Sequence, residues 1–173
     1  TKTRTTPRQN GWQMGINPAF ERLTGGVGTV DLVMGNEGDS GGPLLYYKNT
    51  GTAPDIHYTE QTGPVNNPFH TVVIGREAAP TFVDINADDK PDLVVGWEGG
   101  TLYYYRNTGA VGSPTYVLSN GVDDPFYGIN VTSHSRPKFV DLDADGDADL
   151  VIGNASGALT YYENIGSSSN AVF

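Results

Sequence analysis

A chain of 173 residues with no cysteine and a formal net charge of −10 excludes several functions at once. No disulfide, zinc–thiolate site or thiol nucleophile can form, a nucleic-acid phosphate backbone would be repelled, and no apolar run approaches the roughly 18 residues a membrane span needs. The 23 glycines and 11 prolines are spread along the chain, a pattern that suits many short strands joined by turns and an all-β fold. In chain order, residues 1–17 read as an N-terminal segment in which Gly11–Asn17 is a candidate edge strand. Residues 18–79 follow as a degenerate repeat, opening on Pro18-Ala19-Phe20 and carrying Asp31-Leu32-Val33-Met34-Gly35 and Tyr46-Tyr47-Lys48-Asn49-Thr50-Gly51. Residues 80–136 and 137–173 are the second and third copies.

The repeat is clearest between residues 80–109 and 137–166, which align without a gap at an offset of 57 and share 16 of 30 residues. Upstream, Asn67-Pro68-Phe69 matches Asp124-Pro125-Phe126 at the same offset. Runs of Val, Leu, Phe and Tyr bounded by Gly, Pro, Asn and Asp predict strands near Thr81–Asp84, Asp92–Trp97, Thr101–Arg106 and Pro114–Leu118. Four strands per copy predict one propeller-type blade each, and so three blades of about 57 residues. Adding 57 to Tyr116 reaches Phe173, so the third outer strand is expected to be truncated. Three blades are too few to close a ring, and three readings stay open: part of a longer array, pairing with other chains, or an edge strand from Gly11–Asn17 in an open stack. An uncovered strand edge invites pairing, so a neighbour is expected.

Two loops carry the chemistry. The second copy offers Asp84, Asn86, Asp88 and Asp92 at positions 1, 3, 5 and 9, and the third offers Asp141, Asp143, Asp145 and Asp149 at the same positions. Calcium takes six to eight oxygens from carboxylates, amides and backbone carbonyls, and alternating short acids on a tight turn aim their oxygens at one centre. At position 7, Lys90 and Asp147 are expected to give backbone carbonyls. At position 6, Gly146 and Asp89 are suited to a sharp turn. Four carboxylates in nine residues repel one another unless a cation intervenes. Two calcium ions are therefore expected, bringing −10 to −6. The first copy replaces its acidic loop with Glu21–Gly28 and is expected to bind none. Nothing at position 12 matches the Glu of an EF-hand, and strands rather than helices flank the loop.

The pattern D-x-[DN]-x-D-x-x-x-D-L-[VIL]-x-G, then a Gly turn, an aromatic strand and Asn-x-Gly, resembles the FG-GAP or VCBS-type repeat. The resemblance runs from about Pro18 to Phe173. It implies calcium-binding propeller blades like those of integrin α-subunit heads, some fungal lectins and many secreted microbial proteins, with the two Asp/Asn sets as metal ligands.

Other motifs favour plainer readings. Gly38-Asp39-Ser40-Gly41-Gly42-Pro43 spells the nucleophile motif of trypsin-like proteases, yet no histidine precedes Ser40 and a triad is a geometry, not a string. The motif falls where the second copy has its Glu98-Gly99-Gly100 turn. His57, His70 and His134 are isolated, with no zinc-ligand spacing. Tyr46-Tyr47, Tyr103-Tyr104-Tyr105 and Tyr161-Tyr162 are expected to pack blade on blade, phenol oxygens toward solvent. Asn130-Val131-Thr132 and Asn154-Ala155-Ser156 fit the N-glycosylation pattern. The sequence thus reads as a non-enzymatic, extracellular, calcium-stabilised structural or adhesive module. It assembles into a ring or filament as a homo-oligomer or with further repeats. The alternative is a lectin holding carbohydrate between blades, at Trp97 or the tyrosines.

Overall fold

The computed structural model describes residues 17–24, 29–36 and 42–173. Over these the protein is all-β. The strands are β1 (Pro18–Glu21), β2 (Asp31–Met34), β3 (Gly42–Pro43), β4 (Leu45–Asn49), β5 (Tyr58–Gln61), β6 (Val73–Ile74), β7 (Ala79–Val83), β8 (Asp92–Gly96), β9 (Leu102–Asn107), β10 (Tyr116–Ser119), β11 (Arg136–Val140), β12 (Asp149–Gly153) and β13 (Leu159–Tyr162). A one-turn helix, α1 (Gly63–Asn66), follows β5, and a 3-10 turn at Gly121–Asp123 follows β10. The strands make antiparallel sheets β1-β2-β4-β5, β7-β8-β9-β10 and β11-β12-β13, with a ribbon of β3 and β6. The described sheets do not close into a barrel or ring.

Each sheet follows one sequence copy to within a residue, β7 and β11 starting at Ala79 and Arg136, and the registers repeat. Val83 faces Asp92 in the second sheet, and Val140 faces Asp149 in the third. The acidic loops therefore connect the first two strands of these sheets. The four strands expected in the second copy are present, displaced by a residue or two. Asp84 leaves its strand because both its carboxylate oxygens accept loop amides. Pro114 and Thr115 lie outside β10, since the Thr115 amide donates to the Asn107 side chain instead of the ladder. The third sheet has three strands. Of the protease-like hexapeptide only Gly42 and Pro43 are described, paired with Ile74 and Val73. Ser40 and most of the candidate edge strand lie outside the described residues.

Two seams hold the sheets together, and the second repeats the first 57 residues on, or 58 for the tyrosine of the third strand. In the first, Phe69 is fully buried. It stacks on Tyr116 at 4.9 Å, meets the edge of Tyr46 at 5.7 Å and packs on Phe82 at 6.0 Å. In the second, Phe126 stacks on Phe173 at 5.2 Å, meets the edge of Tyr104 at 5.6 Å and packs on Phe139 at 5.5 Å. An Asx turn aims each central ring. Asn67 Oδ1 accepts the Phe69 amide and Asp124 Oδ1 accepts that of Phe126, local bonds that Asn and Asp make readily. Aliphatic side chains of facing strands, Leu93 and Val95 in one seam and Leu150 and Ile152 in the other, complete the cores. Such aromatic quartets add edge and stacking terms to their area burial.

Candidate metal centre

The third-copy loop brings one carboxylate oxygen each from Asp141, Asp143 and Asp145 within 4.8 Å of one another. This is the only group of three or more such ligands among the described residues. The loop is built by its own backbone. Asp141 accepts the amides of Ala144 and Gly146, Asp143 that of Asp145, and Asp145 that of Asp147. Gly146 takes the left-handed conformation expected of position 6, φ +97°, and Asp89 does so in the second copy, φ +61°. Ala144 and Ala87 at position 4 do the same, at φ +65° and +54°. That conformation costs an L-residue roughly 1–2 kcal/mol, and nothing in the sequence pattern marked it.

Asp147 belongs to the same site in an unexpected way. Its side chain is buried, and its Oδ1 accepts no hydrogen bond. Burial first, then the carboxylates of Asp145, Asp149, Asp143 and Asp141, raise its pKa above the usual carboxylate range. A buried, unsatisfied acceptor among four acids is costly, and a hard divalent cation would relieve it. A donor set of clustered carboxylates fits a hard divalent cation, calcium among them, rather than a softer metal.

The second-copy loop is different. Lys90, expected to offer only its carbonyl, places its ammonium 3.2 Å from Asp88. Its amide donates to the same carboxylate. Asp84 accepts the amides of Asp88 and Asp89, and Asn86 donates to Asp92 at 3.0 Å. The Oδ1 of Asn86 is buried without a partner. This loop retains an oxygen for a cation, but a lysine already supplies part of the positive charge.

Position 9 has a further role that the sequence reading missed. Asp92 Oδ1 accepts the Asn107 amide at 2.7 Å and Oδ2 the Tyr104 hydroxyl at 2.7 Å. Asp149 accepts Asn164 N at 2.8 Å and the Tyr161 hydroxyl at 3.0 Å. Asp31, in the copy without an acidic loop, accepts Asn49 N at 2.8 Å and the Tyr46 hydroxyl at 3.1 Å. The asparagine then caps the next turn, its Oδ1 accepting the amide of Gly51, Gly109 or Gly166 at 3.1 Å each. An Asp–Tyr–Asn lock thus ties two neighbouring strands together in every copy, β2 to β4, β8 to β9 and β12 to β13. The expectation that the tyrosine hydroxyls face solvent is corrected here, since those of Tyr46 and Tyr104 are buried against a carboxylate. The signal was present in Asp31, retained where positions 1, 3 and 5 are lost, and in Asn-x-Gly, which closes all three copies. The net effect on the acid differs between copies. Burial dominates at Asp92 and raises its pKa, while the Asn164 amide dominates at Asp149 and lowers it.

The remaining expected sites are scattered. His134 contacts Glu77 at 3.4 Å, and no histidine shares a ligand cluster among the described residues. Asn154 uses its amide nitrogen on the Val131 carbonyl and its oxygen on the Ser156 and Ala158 amides, so a glycan there would displace a structural bond. Asn130 is exposed, and its Oδ1 accepts the Thr132 amide. Two clefts open between sheets at equivalent places. One, of 420 Å³, includes Tyr46, Lys48 and Gln61. The other, of 580 Å³, includes Tyr104, Arg106 and Ser119. Trp97 lines neither and instead packs beside Tyr103 with its indole nitrogen on Thr101. No family model, curated protein or solved structure matches this chain.

Proposed function

We propose that this chain is an extracellular, calcium-stiffened structural module of the FG-GAP or VCBS kind, whose sheets are propeller-type blades and which assembles with neighbouring repeats. The observation that carries the reading is the convergence of Asp141, Asp143 and Asp145 beside the buried, unpartnered oxygen of Asp147. Those four residues and Asp149 would hold the ion in the third copy, and Asp84, Asn86, Asp88, Lys90 and Asp92 in the second. Bound calcium supplies the positive charge that lets these carboxylates stay ionised side by side. Asp149 already fastens the loop to β13 through Tyr161 and Asn164, so stiffening the loop stiffens three strands together. Extracellular calcium fills sites of roughly 10⁻⁴–10⁻³ M affinity, the class suited to structure. The reading assigns the chain no catalysis.

Calcium titration by calorimetry, paired with thermal melting, tests this. Binding at the third loop and a melting temperature that rises with calcium are expected. A titration with no heat and an unchanged melt would end the proposal.

A lectin remains the second reading, supported by the two equivalent clefts, each offering a tyrosine, a cation and polar side chains. Glycan-array binding that is lost when Arg106 and Lys48 are both changed to Ala would favour it.

A further inference from the structure

The outer face of the third sheet repeats, residue for residue, a face that is buried one copy earlier. Ile85, Leu102 and Tyr104 lie in the second seam at 5 %, 8 % and 4 % exposure. Their equivalents 57 residues on, Leu142, Leu159 and Tyr161, stand at 56 %, 77 % and 45 %. The apolar character of the covered face is kept where no described residue covers it.

One glycine says what covers it. Gly35 closes the second-strand motif of the first copy, and a Cβ there would collide with the carbonyl of Ala78, the residue that leads into β7 of the second sheet. Gly96 is placed in the same way against the carbonyl of Ser135, the residue that leads into β11 of the third sheet. In both, glycine is required because the backbone leading into the following sheet lies directly on the strand. Gly153 occupies the same position in the third copy, yet a Cβ there would meet only Leu159 Cδ2, at an ordinary 3.5 Å. Glycine weakens a strand by its entropy, and the fold as it stands does not need one here. A backbone carbonyl arriving from another repeat does.

We infer that the exposed face of the third sheet, centred on Gly153, Leu159 and Tyr161, is a docking face for the first repeat of a second copy of this chain. The inference rests on the structural-module reading above, but not on the metal. The partner surface is fixed by elimination among the described residues. The leading strands of the second and third copies, with Phe82 and Phe139, are already packed into the two seams. The equivalent Phe20 on β1 is 57 % exposed. Joining the third sheet of one molecule to the first of the next uses two different patches. Such a heterologous contact generates a ring if its rotation closes and a filament if it does not.

Sedimentation velocity over a concentration series in calcium-containing buffer tests this. Wild-type protein should associate with rising concentration. Gly153→Ala should remain monomeric with an unchanged melting temperature, because the isolated fold has room for the methyl. Phe20→Asp should also remain monomeric. An equimolar mixture of the two variants should give a one-to-one heterodimer, since each retains the face the other lacks. Wild type that stays monomeric throughout, or Gly153→Ala that associates like wild type, would overturn the inference. A face-to-face dimer would be revealed by Phe20→Asp having no effect, and would overturn it too. If calorimetry shows no calcium while Gly153→Ala still blocks association, the metal reading fails and the docking face stands.

Discussion

The two acidic loops differ in one side chain that matters more than their shared spacing. Lys90 places an ammonium where the third copy has the carboxyl of Asp147, and its contact with Asp88 is partly open to solvent. A single half-buried pair of this kind adds modest stability, but its charge competes with any cation entering the loop. Lys90→Gln is therefore expected to tighten calcium at the second loop by several-fold, and Asp145→Asn to abolish binding at the third. Calorimetry on both variants separates the sites, and equal effects on both sites from either change would refute their independence. The ninth-position aspartate needs a different test, because it is both a candidate ligand and a hydrogen-bond acceptor. Asp31 isolates the second role. Asp31→Asn sets an amide against the Asn49 N–H or the Tyr46 hydroxyl, and a hydrogen bond to a charged group is worth about 1.5–3 kcal/mol. A loss of that size in urea unfolding, the same with and without chelator, is the expected result. A loss that vanishes when calcium is removed would mean the first copy also holds an ion.

At the scale of elements, the aromatic quartets are the joints between sheets. Phe126 is the most enclosed aromatic ring of the second seam and touches Tyr104, Phe139 and Phe173. Phe126→Ala is expected to cost about 3–5 kcal/mol, the range for emptying a buried aromatic site. Phe69→Ala should cost a similar amount, and chemical denaturation measures both. If Phe126→Ala unfolds only the third sheet, a split transition will report it. Much of this was legible in the sequence. The offset of 57, the strand runs and the Asp-Pro-Phe match are local patterns, and local patterns set strands and turns. The seam itself was legible only as recurrence, since nothing in Phe69 says that it meets Tyr116. The ribbon of β3 and β6 was not legible at all. It joins Gly42–Pro43 to Val73–Ile74, two-residue pieces with no alternation to read. The turn of the Lys90 side chain onto Asp88 was not legible for a related reason: spacing says nothing of where a long side chain goes.

The whole molecule puts its tyrosines to a use that controls its alkaline limit. Tyr46, Tyr104 and Tyr116 all have raised pKa values, with burial the leading cause and the carboxylates of Asp31 and Asp92 adding to it. An unfolded tyrosine ionises near about pH 10. The folded protein holds these phenols neutral well beyond that. Their contribution to stability is thus complete below the unfolded value and is lost as pH rises from there toward the raised folded values. Two of the three hydroxyls belong to Asp–Tyr–Asn locks in the first and second copies, and Tyr116 stacks on the central ring of the first seam. Deprotonation therefore acts on strands and seam together. The urea midpoint is expected to stay flat through neutral pH and fall steeply above about 10, with phenolate absorbance from these residues growing only as the fold is lost. Tyr116→Phe keeps the stacked ring and removes one titrating hydroxyl, so its alkaline decline should be shallower while its neutral stability changes little. Phenolate absorbance that rises fully before any loss of β-sheet signal would show that the phenols are reachable in the native protein, and that the seams yield locally instead of as one unit.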